Sequence, residues 1–360
     1  MRLNILYDAQ IFALQKYGGI SRYFFELIQN LIPLEDIFLH DGINSNEYGV
    51  SSLVGCKKRW GYYIENMKAK RRFVARLNAL HFKYFTWREN IDIYHPTYYE
   101  DYHVRGAKKV VTVYDMVHEL FPEEFSDDPT TLRKSKILQN ATGVIAISES
   151  TKRDLMNLFH IPAEKIRVVY LANSLFELEQ EAPLMKDPYI LYVGNRSGYK
   201  NFLGLANAYA SSQYKSNLRL VCFGGGPFNE TEKAVLVKLG IWESVVPYSG
   251  DDSVLSNLYQ FAEIFVYPSL YEGFGLPLLE AMHYGTPVLT GNTSSIPEVA
   301  GEAAEYFDPY DSESICDAMD QLLSDTVRRR ELKCKGRERE KLFSWKRCAE
   351  ETLDFYRTLQ

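Results

Sequence analysis

The 360-residue sequence lacks several patterns that would assign a chain to a class of protein directly. Its five cysteines are scattered, and neither Cys-x-x-Cys nor His-x-x-His, the spacings typical of redox pairs and metal sites, occurs. No stretch reaches the roughly eighteen consecutive apolar residues of a membrane-spanning helix. The amino terminus leads into a short apolar strand, without the charged region and cleavage site of a secretory signal. We therefore expect reduced thiols and a cytoplasmic protein.

Two further absences concern charge and metal ligands. The formal net charge is -6, so nucleic acid is not expected as a partner. The tripeptide Asp-x-Asp, which would offer two carboxylates to one metal ion, occurs nowhere in the chain. A metal-assisted diphosphate site is therefore disfavoured, and we expect neither a metal ion nor a cofactor.

The most informative segment that is present is Tyr267–Met282, which places two carboxylates, Glu272 and Glu280, around a Gly-Phe-Gly turn. A strand precedes this turn and ends at Pro268, and a helix opens directly after the turn. Backbone N–H groups at a helix start can hold a phosphate, and carboxylates accept hydrogen bonds from sugar hydroxyls. Because ligands bind at the carboxyl edge of open α/β sheets, the segment predicts a nucleotide-sugar site.

The order of elements predicts two domains. A chain of 360 residues exceeds what one hydrophobic core usually serves. Short apolar strands alternate with helical patterns, which is typical of an α/β fold with parallel, doubly wound sheets. The alternation stops in the irregular stretch 172–188 and then restarts. We predict an amino-terminal domain over 1–174, a carboxy-terminal domain over 188–343 and a final helix in 344–360.

A second loop of the carboxy-terminal half carries two cations. Arg196 and Lys200 lie in the glycine-containing stretch 194–201, between a strand and a helix. In a parallel sheet this loop shares an edge with Glu272, and its cations would neutralise a diphosphate leaving group. The alternative is a solvated loop with ordinary surface cations. Nearby, Gly224–Gly226 lack the spacing of a dinucleotide fingerprint and are interpreted as room for a nucleotide base or ribose, or as a plain turn.

The amino-terminal half offers weaker candidates. Gly18 and Gly19 precede a long helix and would let backbone N–H groups approach a phosphate or sugar, but a Gly-Gly pair is also an ordinary turn. Asp115 and His118 lie on a loop after a strand, where either side chain would orient an acceptor or sugar hydroxyl. His95 also lies at a strand end. For any single histidine a structural role is the more common one, and a loop position at a strand end raises the odds of function.

Positive charge is concentrated between residues 57 and 88. This segment interleaves Lys and Arg with aromatic side chains and contains Glu65 as its one acidic residue. Such a mixture suits an anionic membrane surface or a lipid-phosphate acceptor, since cations meet head groups while aromatic rings lie at the interface. It predicts peripheral contact with the inner face of the cell membrane. The alternative is a solvated basic helix whose aromatic side chains face the core.

Together these motifs resemble a known family over nearly the whole chain. The motifs are Gly18-Gly19, the 194–201 loop, Glu272–Glu280, Gly285–Val288, Ser295–Gly301, Asp308-Pro309 and the Ser344-Trp345 helix. The family is that of the retaining GT-B glycosyltransferases, typified by bacterial polysaccharide mannosyltransferases and by sucrose and glycogen synthases. The resemblance implies two Rossmann-like domains facing across a cleft, the first for the acceptor and the second for a nucleotide-sugar, with the last helix crossing back onto the first.

The resemblance also assigns residues to the two substrates. On the donor side it implies Gly18, Gly19, Arg196, Lys200, Gly273, Phe274, Gly275 and Glu280. Among these, Glu280 would bind the ribose hydroxyls, and Arg196 with Lys200 would bind the diphosphate. Glu272 would hold the transferred sugar as a catalytic residue. Asp115 and His118 would act toward the acceptor, and because many relatives carry His-Asp where this chain has Tyr-Asp, Asp115 is at least as good a candidate as His118.

The reaction implied by the resemblance is the metal-independent transfer of a hexose with retained anomeric configuration. GDP-mannose is the first expected donor, followed by UDP-glucose and related nucleotide-sugars. The expected acceptor is a saccharide or lipid-linked saccharide of cell-surface polysaccharide synthesis. The alternatives are a nucleotide-sugar epimerase or phosphorylase on the same scaffold, and a non-catalytic nucleotide-sugar-binding subunit.

Overall fold

The computed structural model describes residues 2–65, 71–175, 182–196 and 198–360. The chain divides into two compact units. The first comprises the chain up to Leu171 together with Ser344–Gln360, and the second comprises Ala172–Phe343. Each unit is an α/β domain built on a parallel sheet, which confirms the fold class that the alternation of strands and helices predicts.

The first unit contains, within the described residues, a seven-stranded sheet in the order β3-β2-β1-β4-β5-β6-β7. Its strands are β1 (Asn4–Tyr7), β2 (Asp36–Asn44), β3 (Lys58–Tyr63), β4 (Ile93–His95), β5 (Lys108–Val113), β6 (Gly143–Ala146) and β7 (Ile166–Val168). The strand order reverses between β1 and β4, which pair directly in the middle of the sheet. In open α/β sheets the crevice for a ligand lies at such a reversal.

In the described part of the first unit, six α-helices connect these strands, and a seventh comes from the end of the chain. They are α1 (Gln10–Leu14), α2 (Gly19–Leu31), α3 (Arg71–Thr86), α4 (Val117–Leu120), α5 (Thr130–Gln139), α6 (Glu149–Phe159) and α14 (Trp345–Thr358). None of the helices in the described ranges has both the length and the apolar character needed to cross a membrane.

The second unit has a six-stranded parallel sheet in its described part, in the order β10-β9-β8-β11-β12-β13. Its strands are β8 (Tyr189–Val193), β9 (Arg219–Phe223), β10 (Val245–Tyr248), β11 (Ile264–Tyr267), β12 (Val288–Gly291) and β13 (Ala304–Phe307). Its α-helices are α7 (Phe202–Ser211), α8 (Glu230–Lys238), α9 (Asp252–Phe261), α10 (Leu276–His283), α11 (Ile296–Ala300), α12 (Ser312–Ser324) and α13 (Thr326–Glu340). Here the order reverses between β8 and β11.

The central strands of both sheets are buried on both faces. Every residue of β8, β11 and β12 is buried, as expected where helices cover a parallel sheet on two sides. Burial on both faces explains why the sequences of these strands are continuously apolar and do not alternate between apolar and polar residues. Their loops, by contrast, reach the carboxyl edge of the sheet and are available for function.

The last helix, α14, packs on the first unit through a chain of buried polar groups. The Tyr356 hydroxyl of α14 lies 2.5 Å from His95 Nδ1 and 3.0 Å from the Tyr7 hydroxyl. His95 Nε2 lies 2.8 Å from Thr112 Oγ1, which also shares a hydrogen bond of 3.1 Å with the Tyr23 hydroxyl. His95 has no exposed surface. Its role is therefore a structural one, since it links β4 to the last helix.

The sequence patterns do not predict β2 or β3, and α3 corresponds to the basic helix that was the alternative interpretation of residues 57–88. In β2 the polar residues His40, Asp41 and Asn44 are buried. Because polar residues interrupt the apolar pattern expected of a buried strand, the sequence of β2 resembles that of a loop. The partners of these polar residues come from elements distant in sequence: Arg59 Nη2 of β3 lies 2.9 Å from Asp41 Oδ2, and Asn78 of α3 hydrogen-bonds the backbone of β2. The helices α5, α12 and α13 and the strand β13 are also absent from the prediction. Of the predicted interdomain stretch 172–188, residues 176–181 lie outside the described residues.

Two buried histidines make the stability of the first unit depend on pH. Burial lowers the pKa of His95 to about 3, and that of His40 to about 3, from the ordinary value of 6.5. Between pH 6.5 and 3 the unfolded chain binds protons that the folded chain does not, so the free energy of unfolding falls as the pH is lowered. From pH 7 to pH 5 we expect each histidine to remove about 2 kcal/mol, measured by urea unfolding.

A pair of variants assigns this pH dependence to its source. His95→Gln should lose about 2 kcal/mol of it between pH 7 and pH 5, because one group with a lowered pKa is gone. His103→Gln, at an exposed position, should keep all of it. The full pH dependence in His95→Gln would show that His95 is not one of the groups responsible.

Candidate functional site

Two loops of the second unit meet where its strand order reverses. The loops 194–201 and 268–275 follow the neighbouring strands β8 and β11, and both leave the carboxyl edge of the sheet. The backbone N–H of Leu270 donates to the carbonyl of Tyr199 at 2.8 Å, which joins one loop to the other. Residue 197 lies outside the described part of the first loop. The pair of loops occupies the position at which open α/β sheets bind ligands.

Asn201 holds this position together from the end of the first loop. Its φ of 53° lies in the left-handed region, which asparagine tolerates better than most residues. Its side-chain Nδ2 donates to the carbonyl of Pro268 at 3.1 Å and to that of Pro309 at 2.6 Å. One side chain therefore fixes the loops that follow three different strands, β8, β11 and β13.

Lys200 and Glu272 form an ion pair across the two loops. Lys200 Nζ lies 2.6 Å from Glu272 Oε1, and the side chains are only 17% and 11% exposed. Tyr267, the last residue of β11, also hydrogen-bonds Glu272; burial and this carboxylate raise the pKa of Tyr267 well above its usual value. Glu272 is thus oriented by a cation and a phenol. The two residues that the sequence predicts at one sheet edge are in direct contact.

The turn between β11 and α10 is fixed by serine and glycine. Gly275 has a φ of 105°, a conformation that favours glycine. The Ser295 hydroxyl donates to the carbonyls of Glu272 at 2.8 Å and Phe274 at 3.0 Å. Gly273 and Phe274 complete the turn, and the Phe274 side chain is buried. The amino end of α10, which carries the positive end of the helix dipole, therefore starts at a rigid turn beside Glu272.

Glu280 lies on α10 and is also mostly buried. Its Oε2 accepts a hydrogen bond of 3.0 Å from the Tyr259 hydroxyl of α9. Burial and then the Glu280 carboxylate raise the pKa of Tyr259, so the phenol stays a donor. The predicted contact of Glu280 with ribose hydroxyls stays a prediction, and the structure shows a carboxylate held in one orientation on the helix.

Arg196 is enclosed by the glycine-rich loop that follows β9. Its guanidinium donates to the carbonyls of Gly224 at 2.7 Å and Gly226 at 3.0 Å, and to Glu232 Oε1 at 2.8 Å. A Cβ at Gly225 would lie 2.7 Å from Arg196 Nη1, so a side chain there would displace the guanidinium. Arg196 therefore explains the glycine at position 225, and all three glycines have a positive φ, a conformation that favours glycine. Its predicted contact with a diphosphate stays a prediction.

Gly18 and Gly19 form the start of α2 in the first unit. The N–H of Gly18 donates to the Tyr48 hydroxyl at 3.3 Å, and its carbonyl accepts from the Ser21 hydroxyl at 3.0 Å. A Cβ at Gly18 would lie 2.3 Å from Gln15 Oε1. A side chain at position 18 would therefore have to displace the end of the Gln15 side chain, and a role of the pair toward the donor stays a prediction.

Asp115 and His118 lie in the loop and short helix after β5. Asp115 Oδ1 accepts from the N–H of Val117 at 3.2 Å, and its carbonyl accepts from Lys134 Nζ at 2.9 Å. His118 Nε2 lies 3.6 Å from Asp128 Oδ2. Both side chains are half-buried. The structure thus brings the two acceptor-side candidates to one edge of the first sheet.

Three supporting side chains escape prediction from the sequence. Tyr267 and Ser295 lie within conspicuous motifs, but nothing in those motifs shows that they hold Glu272 and its turn. Glu232 carries a different signal, the Asn-Glu-Thr-Glu sequence of a capping box at the start of α8. That signal predicts a helix start and says nothing of Arg196.

Comparison with known proteins assigns both units to one group of enzymes. The family model described as Glycosyl transferases group 1 matches residues 175–339, and that described as Glycosyltransferase Family 4 matches residues 17–172. The O-antigen chain mannosyltransferase B of Escherichia coli is 30% identical over 368 residues, covering 95% of this chain and 96% of that protein.

Solved structures show the same fold over the full length. Sucrose-phosphate synthase from Thermosynechococcus elongatus superposes with a TM-score of 0.77 at 19% identity, covering 100% of this chain and 99% of that one. HepE of Anabaena, in complex with UDP and glucose, gives a TM-score of 0.74 at 14% identity, covering 99% of this chain and 100% of that one. These likenesses confirm the predicted GT-B fold. From the family matches and the full-length relative it follows that the chain belongs to the group 1 glycosyltransferases.

Proposed function

We propose that this enzyme, a glycosyltransferase of polysaccharide synthesis, transfers a mannosyl residue from GDP-mannose with retained anomeric configuration and without a metal ion. The proposed acceptor is a saccharide or lipid-linked saccharide. The observation that carries the proposal is the buried Lys200–Glu272 pair at the reversal point of the second sheet. The choice of mannose is supported by the full-length likeness to the O-antigen chain mannosyltransferase.

Lys200 and the start of α10 supply the positive charge that a diphosphate needs. The ammonium group of Lys200 is largely shielded from solvent, and it lies 5.2 Å from the centre of the Tyr199 ring and 5.9 Å from that of Tyr267. Partial burial strengthens the attraction of this cation for an anion. The helix dipole of α10 acts in the same direction. A lysine and a helix start can stabilise a leaving diphosphate in the way that a divalent ion does in other enzymes.

In the proposed reaction the bond between the anomeric carbon and the diphosphate oxygen breaks, and positive charge develops on the sugar ring. The acceptor hydroxyl attacks the anomeric carbon from the same face and passes its proton to an oxygen of the departing diphosphate. Glu272 accepts hydrogen bonds from the sugar hydroxyls while its negative charge stabilises the ring. Lys200 and Tyr267 keep the carboxylate in place, so little reorganisation is needed as the charge develops.

On the acceptor side, Asp115 is the better candidate of the two predicted residues. Asp115 is the second residue after β5, and its Oδ1 accepts a hydrogen bond from the loop backbone. His118 has a Nδ1 that is buried without a hydrogen-bond partner among the described residues, and its Nε2 faces Asp128. These contacts of His118 suit a side chain that packs within the loop and does not contact an acceptor. We propose that Asp115 orients the acceptor hydroxyl.

The outer face of α3 supports contact with a membrane. Five large side chains at helical spacing are exposed on α3 and at the residue that follows it, and we call them the outer stripe: Phe73, Leu77, Leu80, Tyr84 and Trp87. The cations Arg76, Lys83 and Arg88 are also exposed on this segment. Residues 66–70 and the side chains of residues 71 and 72, part of the same basic region, lie outside the described residues. Apolar and cationic groups on one helix suit the anionic inner face of a cell membrane, where we propose that the enzyme attaches.

A panel of nucleotide-sugars tests the donor. GDP-mannose should raise the melting temperature most, since a ligand at 100 times its Kd stabilises the folded protein by roughly 2.7 kcal/mol. Product formed from GDP-mannose should keep the anomeric configuration of the donor, as read by NMR, and its rate should be unchanged by EDTA. A larger shift with another donor, an inverted product or loss of activity in EDTA would each contradict the corresponding part of the proposal.

Replacement of Glu272 tests the site itself. Glu272→Gln should lower kcat at least about tenfold, which corresponds to the loss of about 1.4 kcal/mol of transition-state stabilisation. The matched control is Glu243→Gln, an exposed carboxylate in the same unit, which should leave kcat unchanged. Wild-type turnover in Glu272→Gln would remove Glu272 from the mechanism.

Two substitutions in the outer stripe test membrane contact. Leu80→Ser with Tyr84→Ser should weaken binding to phosphatidylglycerol vesicles about tenfold, because two apolar groups no longer enter the interface. Binding by the wild type should also fall as salt is raised. The control Val327→Ser removes an equally exposed apolar side chain from the second unit and should change nothing. Equal vesicle binding by all three proteins would argue against this surface.

A further inference from the structure

The first unit contains a cavity of about 240 Å³. Asp8 and Ala9, directly after β1, line it together with His40 of β2 and with Tyr98 and Tyr102, which follow β4. The cavity therefore lies where the order of the first sheet reverses between β1 and β4. This position favours a ligand in open α/β sheets. The Lys200–Glu272 pair belongs to the other unit, so the cavity is a second candidate site.

The opening of the cavity lies between two helices. Ala13 and Leu14 of α1 line one side, and Val74 and Ala75 of α3 line the other. Leu14 and Ala75 are exposed, whereas Val74 is buried, so the lining reaches the surface of the unit beside Leu14 and Ala75, and it also does so at the exposed Arg133 of α5. The space is therefore accessible from the surface of the first unit.

The polar groups around the cavity are occupied by one another. Asp8 Oδ1 accepts from the Thr97 N–H at 3.0 Å, and Asp8 Oδ2 accepts from the Tyr94 hydroxyl at 2.6 Å and from Gln10 Nε2 at 2.7 Å. The Oε1 of Gln10 accepts in turn from the N–H of Glu100 at 2.7 Å. A saccharide would need several of these groups for its own hydroxyls. Their mutual pairing leaves a wall that is mostly apolar.

Two further polar residues of the lining, Arg133 and Asn78, are also bound to other groups of the protein. Arg133 is paired with Glu100 at 2.9 Å, and Asn78 bonds through both ends of its amide to the backbone of Ile43. His40 Nδ1 has no hydrogen-bond partner within the described part of the chain. Tyr98 and Tyr102 also line the cavity, and their rings add to its mostly apolar wall. A wall of this kind, in which many of the polar side chains bind one another, suits a hydrocarbon better than a saccharide.

The helix α3 is apolar on two faces. Val74 and Phe82 face the cavity, and the outer stripe is exposed on the same helix. A helix of a soluble protein normally buries one apolar stripe and exposes a polar face. The cations Arg76 and Lys83 on the exposed part are complementary to an anionic head group. The anionic head group of a lipid would match the exposed cations of α3. Its hydrocarbon tail would match the apolar side chains that α3 presents to the cavity.

We propose that the cavity beneath α1 and α3 holds the first segment of the hydrocarbon tail of an anionic, phosphate-bearing membrane lipid. With the proposed function, on which this part rests, that lipid is the carrier of the acceptor saccharide. A cavity of about 150 Å³ holds benzene, so about 240 Å³ corresponds to roughly ten carbon atoms of a chain. The rest of the tail stays in the membrane at the outer stripe.

Titration calorimetry with decyl phosphate, kept below the concentration at which it forms micelles, tests the cavity in the full-length protein. Wild type should bind one molecule saturably. Ala13→Phe should weaken this binding at least tenfold, because the ring occupies the space. Should Ala13→Phe not fold, as judged by circular dichroism, Ala75→Phe at the mouth serves as the second filling variant with the same expected loss.

The double variant Leu80→Ser, Tyr84→Ser is the matched control. It removes apolar surface from the outer stripe and should bind decyl phosphate as wild type does, although its vesicle binding is weakened. Loss of decyl phosphate binding in this control, or full binding in both folded filling variants, would overturn the cavity proposal. So would the absence of saturable binding by wild type.

The same experiment separates the cavity from the proposed reaction. If the cavity binds decyl phosphate but no lipid-linked saccharide is an acceptor, the tail site stands and the acceptor part of the proposed function fails. If lipid-linked saccharides are acceptors but the filling variants use them with an unchanged KM, the reaction stands and the cavity is not the tail site.

Discussion

The reversal of strand order in each parallel sheet is the constraint on which both candidate sites depend. At a reversal the connections on either side run to opposite faces of the sheet, so the loops of two neighbouring strands separate at the carboxyl edge. In the second unit this space is bounded by Lys200 and Glu272, which are charged. In the first unit it is bounded mainly by apolar side chains around Asp8 and His40. One geometry thus provides two candidate sites that differ in chemistry.

Hydrogen bonds of buried polar side chains fix the loops and strand ends at the carboxyl edges of the two sheets. Asn201 binds two loops beyond its own, Arg196 is surrounded by carbonyls of the loop after β9, and Tyr356 reaches His95 from the last helix. Each of these side chains is buried or partly buried, and a buried polar group without a partner costs about 1–3 kcal/mol. The loops consequently have few alternative positions. A site whose groups are fixed before the ligand arrives loses less entropy on binding.

The sequence predicts the parallel α/β class, most central strands and the position of Lys200 and Glu272 at one sheet edge, because each depends on local patterns and on the shared edge of parallel strands. Their direct contact is known from the structure alone. The sequence does not predict β2, whose buried His40 and Asp41 depend on partners from β3 and α3. Nor does it predict that Arg196 is enclosed by glycines, since a cation in a loop looks the same whether it is solvated or bound. The cavity also escapes prediction, as its lining comes from α1, β2, α3 and α5 and from the loops after β1 and β4. In all three cases the structure depends on contacts between residues that are distant in sequence, which local sequence patterns do not show.

The position of α14 has a consequence for how this enzyme can be divided and recombined. Residues Ser344–Gln360 complete the first unit, although they follow the whole second unit in sequence. The first unit is therefore not a continuous piece of the gene, while the second unit is. A chimera that exchanges only the amino-terminal half would combine the α14 of one parent with the Tyr7, His95 and Thr112 surface of another. Recombination between such enzymes should succeed more often when the second unit is exchanged as an insert and both ends of the chain are kept from one parent.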